Sequence, residues 1–140
     1  MKIQLSLAEL PAENVSVTVS GSYLQVAYDF EKMEQSSIED ETMQNVVENS
    51  YMGEYIELRG GVRSYDAIAS AIIEDKYPSD KMDAIRLNYE LAQNADTTGI
   101  TLSDEKKEEY IAEYKTMQEW RIHAKEVAKT AVALIEEATK

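Results

Sequence analysis

Asn14-Val15-Ser16-Val17-Thr18-Val19-Ser20-Gly21-Ser22-Tyr23-Leu24-Gln25-Val26-Ala27-Tyr28-Asp29-Phe30 is the stretch that decides the fold. Val15, Val17 and Val19 alternate with Asn14, Ser16, Thr18 and Ser20, the period of two that buries one face of a strand and wets the other. After Ser20-Gly21-Ser22 the alternation resumes through Leu24, Val26, Tyr28 and Phe30. The two runs predict a β-hairpin whose tight reversal uses the positive φ open to Gly21. Two strands alone are marginal in water, so the hairpin needs a third strand, a helix or another subunit.

The flanking sequence offers partners. Upstream, Ile3, Leu5 and Leu7 alternate with Lys2, Gln4 and Ser6 until Pro11 ends the run. Downstream, Tyr55-Ile56-Glu57-Leu58-Arg59 is a candidate strand closed by Gly60-Gly61. Between them, Glu31 to Asn49 sets Glu31, Glu34, Glu39, Asp40, Glu41 and Glu48 against Lys32 alone. Ser36 and Glu39 form a capping-box pattern, and Ile38, Met43, Val46 and Val47 make a narrow apolar stripe. A short helix and an acidic segment that orders on a partner both fit.

From Ser64 the period changes to that of helices, so a boundary is expected near Gly60-Gly61. It separates a β-rich part, residues 1–62 with the acidic segment 31–50, from a helical part, 63–140. Ser64 is a candidate N-cap for a helix over about 65–76, with Tyr65, Ile68, Ala69 and Ile72 on one face. Pro78 stops it, and Ser79 can cap a second helix over about 80–94 that buries Met82, Ile85, Tyr89 and Ala92. Thr97-Thr98-Gly99 marks the next break. The fold class predicted is α+β: a small antiparallel β-rich part followed by three helices, the last of them long.

Ser103 caps that last helix, with Asp104 and Glu105 at the positive end of its dipole. Unbroken to Thr139 it would be about 54 Å long. Tyr110, Met117, Trp120, Ala124, Val127, Ala131, Leu134 and Ala138 follow the spacing of a helix-helix seam, one position of which, Glu113, is charged. Tyr114, Ala128 and Ile135 widen it toward a bundle face. The two upstream helices are expected on the Tyr110 to Trp120 end. The tail from Val127 onward would then lack cover within the chain, and an apolar stripe of that length is rarely left to water. Tyr110, Tyr114, Met117, Trp120, Val127, Ala131, Leu134 and Ile135 are therefore the candidate interface residues. Tyr51, Tyr55 and Tyr65 are a second candidate cluster, open equally to ordinary packing.

A net charge of −13 over 140 residues opposes the phosphate contacts that dominate nucleic-acid affinity, so no direct nucleic-acid binding is expected. The imbalance is spread: 11 acids against 4 bases in residues 1–64, and 16 against 10 in 65–140. Cysteine is absent, which removes disulfides, thiolate metal sites and thiol nucleophiles together. No run reaches the ~18 apolar residues of a membrane span, and Met1 to Ser6 lacks the apolar region of a signal peptide, so neither membrane insertion nor secretion is expected.

Chemistry-bearing patterns are sparse. His123 is the lone histidine and has no second His at i+4; Glu119 at i−4 is its expected electrostatic neighbour. Glu74-Asp75, Asp80 and Asp83 do not follow the ligand layout of a calcium loop. Phosphate-binding and nucleophile-elbow motifs are missing as well. No catalytic, cofactor or metal residues are assigned.

Tyr65-Asp66-Ala67-Ile68-Ala69-Ser70-Ala71-Ile72-Ile73-Glu74-Asp75-Lys76-Tyr77-Pro78-Ser79-Asp80, then Ala84-Ile85-Arg86, then Glu108-Glu109-Tyr110-Ile111-Ala112-Glu113-Tyr114, is similar in layout to small proteins from tail and structural-gene regions of bacteriophages and prophages of gut bacteria. Shared features are a Tyr-led helix, a Lys-Tyr-Ser-type break, an acidic second helix and a Glu-Glu-x-x-x-Tyr start to the third. The likeness spans Tyr65 to about Lys129. Where that family often has a cysteine in the third helix and a proline before the Glu-Glu pair, this chain has Met117 to Trp120 and Lys106-Lys107. The resemblance implies a non-enzymatic virion structural or assembly protein, resident in the host cytoplasm and then in the virion. Its partners would be other protein subunits, in a homo-oligomer or a larger virion assembly. The alternative reading is an acidic regulator or inhibitor that binds a basic partner surface through Glu31 to Glu57.

Overall fold

A computed structural model describes residues 1–6, 10–32 and 50–139, with backbone alone at 5, 6, 12, 50 and 95–98. Strands β1 (Lys2–Ser6), β2 (Val15–Ser20), β3 (Tyr23–Lys32) and β4 (Ser50–Leu58) precede helices α1 (Tyr65–Lys76), α2 (Ser79–Thr98) and α3 (Asp104–Ala138). The strands form one antiparallel sheet in the order β1-β4-β3-β2. The α+β class read from the sequence is the observed one. The helix and acidic-segment readings for residues 33–49, like Leu7, lie outside the described residues.

The predicted hairpin pairs Val15 with Tyr28, Val17 with Val26 and Val19 with Leu24. Gly21 takes φ 60 at the turn. β4 begins five residues earlier than the sequence suggested and joins the hairpin through Leu24–Leu58, Val26–Ile56 and Tyr28–Glu54. These cross-strand sets share one face, called inner here, and it is this face that the helices cover. Gly60 and Gly61 both adopt positive φ. The Gly61 amide bonds the Ser22 carbonyl at 2.9 Å, and Arg63 donates to the Gly21 carbonyl, so the chain leaves the sheet tied to the hairpin turn.

One irregularity changes the second half of β3. Between Tyr28–Glu54 and Glu31–Met52 the register slips by one residue, a β-bulge in which Asp29 has φ 54. The slip reverses the alternation, so Phe30 leaves the face of Leu24, Val26 and Tyr28 and lies over Gly53 on the outer face. Strict alternation had placed Phe30 with the other three. Ile3, opposite Gly53, also belongs to the outer face.

Helix starts follow local chemistry. Ser64 Oγ accepts from the Ala67 amide at 3.2 Å, and Ser103 Oγ accepts from the Lys106 amide at 3.1 Å. Ser79 is the first residue of α2 and not its cap; Pro78 holds that position without a side-chain bond. α2 runs on past residue 94, kinked at Asn94 (φ −121, ψ 23), and ends at Gly99 with φ 73.

The expectation that α3 lacks intrachain cover from Val127 onward does not hold. Ala124, Ala128 and Ala131 are fully buried, with Val127 and Ile135 nearly so, in one core with Ile68 and Ile72 of α1 and with Val15, Leu24, Val26 and Ile56 of the sheet. The physical reason is that a half-apolar sheet requires a cover of its own, and the small alanine face lets α3 lie close against both α1 and the strands. Each fully buried Ile or Leu contributes roughly 1.5–3 kcal/mol by leaving water. The core therefore runs without interruption across the boundary near Gly60-Gly61. A second cluster, Tyr77, Ile85 and Met117 with Met82, Tyr114 and Trp120 packed on it, joins α2 to the first half of α3; of the two upstream helices expected there, α1 instead shares its core with Ala124 to Ile135. Tyr89 and Tyr114 stack there with ring centroids 3.9 Å apart.

Candidate functional site

The bulge does more than turn Phe30 outward. In an unbroken strand Asp29 would point away from the helices; in the left-handed conformation its carboxylate reaches α3, where Oδ1 lies 2.7 Å from His123 Nε2. Residues with positive φ other than glycine are uncommon, and Asp and Asn are the types that accept it most readily. Asn14, with φ 61, supports the bulge from the turn just before β2: its Oδ1 accepts from the Phe30 amide at 3.1 Å and its Nδ2 donates to the Phe30 carbonyl at 3.4 Å. The neighbouring Glu13, with φ 56, accepts from Thr130 of α3 at 2.8 Å. Both bonds to α3 therefore start from strained backbone.

Around Asp29 a pocket of about 340 Å³ opens between the inner face of the sheet, the end of α1 and the middle of α3. Four carboxylates line it, Asp29 and Glu31 from β3, Glu54 from β4 and Asp75 from α1, together with Lys2, Lys76, Met52 and Trp120. Lys2 Nζ is 2.7 Å from Glu54, and this bond holds the lysine above its ordinary pKa. The amino group of Met1 is 2.7 Å from Asp75 and 3.6 Å from Glu54. Lys76 Nζ sits 4.6 Å from the centre of the Trp120 ring. That ring is fixed by its Nε1, which donates to the Ile72 carbonyl at 3.3 Å, and His123 lies 5.7 Å away, ring centre to ring centre.

Tyr28 does not line this pocket, but it feels the charge of three of its carboxylates. It is fully buried, and its hydroxyl has no hydrogen-bond partner, the one such side-chain atom among the described residues. Burial raises its pKa well above the ordinary tyrosine value, and the negative charges of Asp75, Glu54 and Asp29 push it further. Among the described residues no three acidic or imidazole side chains converge closely enough to hold a metal ion. What the pocket lining offers is negative charge, most of it already paired, beside one aromatic face.

The interface residues named from sequence are divided by the structure. Met117, Val127, Ala131 and Ile135 are buried within the chain; Tyr110, Tyr114, Trp120 and Leu134 are half-buried. Trp120 alone of these lines the carboxylate pocket. Tyr51 and Tyr55 share the outer sheet face, whereas Tyr65 begins α1 on the helical side, so the three do not lie on one face. Sequence reasoning missed the Asp29–His123 pair, placing Glu119 beside His123; Glu119 instead faces Lys115 at 4.0 Å. An Asp inside a β-run was the available signal, but its partner lies 94 residues away. No family model matches the chain, and no curated protein or solved structure does so either.

Proposed function

We propose that this protein is a non-enzymatic bacteriophage virion structural or assembly component that works through protein–protein contacts. The observation that carries the reading is the outward face of α3. Ile111 and Ile122 are 41% and 60% exposed. Eleven residues apart, they fall within about 20° of each other around the helix. Leu87 on α2 is likewise left in water. With the inner stripe sealed by the sheet, association passes to this outer face. The layout shared with phage structural-region proteins over Tyr65 to about Lys129 supports the same assignment, and a neighbouring subunit is the partner it implies.

The test has two parts. Mass spectrometry of gradient-purified particles should find the chain in the virion. Light scattering at high concentration should give a multimer that Ile111→Glu with Ile122→Glu reduces to the monomer. A chain that is monomeric at high concentration and missing from particles would end the proposal. A second reading, an acidic regulator that seats a basic partner surface, is favoured by the carboxylates around Asp75. It requires binding that weakens steeply with salt, and an interaction indifferent to ionic strength would discard it.

A further inference from the structure

We propose that the outward stripe of α3 binds a second copy of this chain, as an antiparallel helix pair about a two-fold axis level with Thr116 and Met117. The inference rests on the reading of that face as the surface of association, and it adds the partner and the register. Ile111 and Ile122 belong to a longer series. Asp104 and Glu108 precede Ile111, Lys115 and Gln118 lie between the isoleucines, and Lys125 and Lys129 follow Ile122. The steps alternate between four and three throughout, the spacing of a helix-helix seam. This seam spans about 37 Å. It is distinct from the buried stripe of Met117, Ala124 and Ala131, and every position on it is exposed except Gln118, which is half-buried.

Charge selects the occupant. Acids hold one end of the seam and bases the other. Turned end to end against itself, the seam sets Asp104 against Lys129 of the second copy, Glu108 against Lys125 and Ile111 against Ile122, each twice by symmetry. Lys115 meets Gln118 at the centre, where a polar layer fixes register at some expense of strength. Among the described residues Asp104, Glu108, Lys125 and Lys129 enter no ion pair within the chain, so their charges are open to a partner. A parallel pair would set like against like at all four of these layers, which selects against it. Two copies that each carry −13 repel over most of their surfaces, and a line along which acids and bases are segregated is where they can meet.

Sedimentation velocity of the full chain should show a dimer at high concentration. Glu108→Lys and Lys125→Glu each set like charges against one another twice and should weaken it by about tenfold or more. Mixed in equal amounts, the two variants should pair again to within a few-fold of native strength, because the first carries a base at both positions and the second an acid at both. A variant that had failed to fold would not be rescued by mixing. The chain has no cysteine, so disulfide trapping reads the register directly. Glu108→Cys mixed with Lys125→Cys should cross-link on mild oxidation, and neither should do so alone, since the two copies of position 108 would stand about 25 Å apart. A monomeric native chain, a Glu108→Lys chain as dimeric as the native one, a mixture that stays monomeric, or cross-linking of Glu108→Cys by itself overturns the proposal. Particles that contain the chain while the native protein is monomeric would remove this pair and leave the assembly reading standing. A dimer of this register that is absent from particles would remove that reading and keep the pair.

Discussion

Gly53→Ala tests the packing that the bulge creates. A methyl group added at Gly53 would lie 2.6 Å and 2.8 Å from Cδ1 and Cε1 of Phe30 and 3.1 Å from the Tyr28 carbonyl oxygen. Carbon atoms pack at about 3.5 Å or more, so the Phe30 ring must retreat by roughly 0.9 Å. Phe30 is only 4% exposed, and the backbone oxygen closes one route of escape. Overpacking of this kind costs about 1–3 kcal/mol. Replacing glycine in a strand offsets part of that by about 0.5–1 kcal/mol, since the unfolded chain loses freedom. A net loss of about 1–2 kcal/mol is expected, which lowers the urea midpoint by roughly 0.5–1 M for a slope in the usual range. Urea unfolding followed by Trp120 fluorescence and far-ultraviolet circular dichroism measures it. In Phe30→Leu the clash is relieved, so the double variant should be more stable than the sum of the singles by about 0.5 kcal/mol or more. A neutral Gly53→Ala, additive with Phe30→Leu, would show that Phe30 does not sit over Gly53 and that the register is unbroken.

The backbone at Asp29 and the hydroxyl at Tyr28 give two further predictions. Asp29→Gly and Asp29→Ala both lose the His123 bond, but only alanine meets the left-handed penalty of about 1–2 kcal/mol, so urea unfolding should find Asp29→Gly the more stable by about 1 kcal/mol; equal stability would mean that the bulge is not held at positive φ. Tyr28→Phe removes an unpartnered buried hydroxyl and should stabilise the fold by about 1 kcal/mol at neutral pH. Because the folded pKa of Tyr28 lies above the unfolded value, its contribution is complete below about pH 10 and is lost as pH rises beyond it, when the unfolded tyrosine ionises and the buried one does not. Thermal melts from pH 9 to 11.5 should therefore fall more steeply for the native chain than for Tyr28→Phe, and parallel slopes would contradict the burial of that hydroxyl.

The parts of the fold visible in the sequence were those set by local rules. The Val15 to Val26 alternation, the Gly21 reversal, the Ser64 and Ser103 caps and the Gly99 stop each depend on neighbours within a few residues, and each was found where expected. What escaped depends on distant partners. The Val127 to Ile135 stripe is apolar for a good reason, but its cover is α1 and a sheet whose hairpin lies about a hundred residues earlier, and helix periodicity does not say whether a helix or a sheet will fill the opposite side. The bulge escaped because Tyr28-Asp29-Phe30 fits plain alternation; only the slip against Met52 and Glu54 reveals that Asp29 turns inward. The candidate pocket was illegible for the same reason, since Lys2, Asp29, Glu54, Asp75 and Trp120 meet only after the chain has folded back on itself several times.

The cover supplied by α3 has a consequence during synthesis. The alanines that shelter the hairpin valines are translated about a hundred residues after them, so the nascent polypeptide must carry a naked greasy sheet over that interval. Aggregation and chaperone capture are thus hazards of the unfinished product, and a ribosome stalled before Val127 would release a molecule fit mainly for proteases.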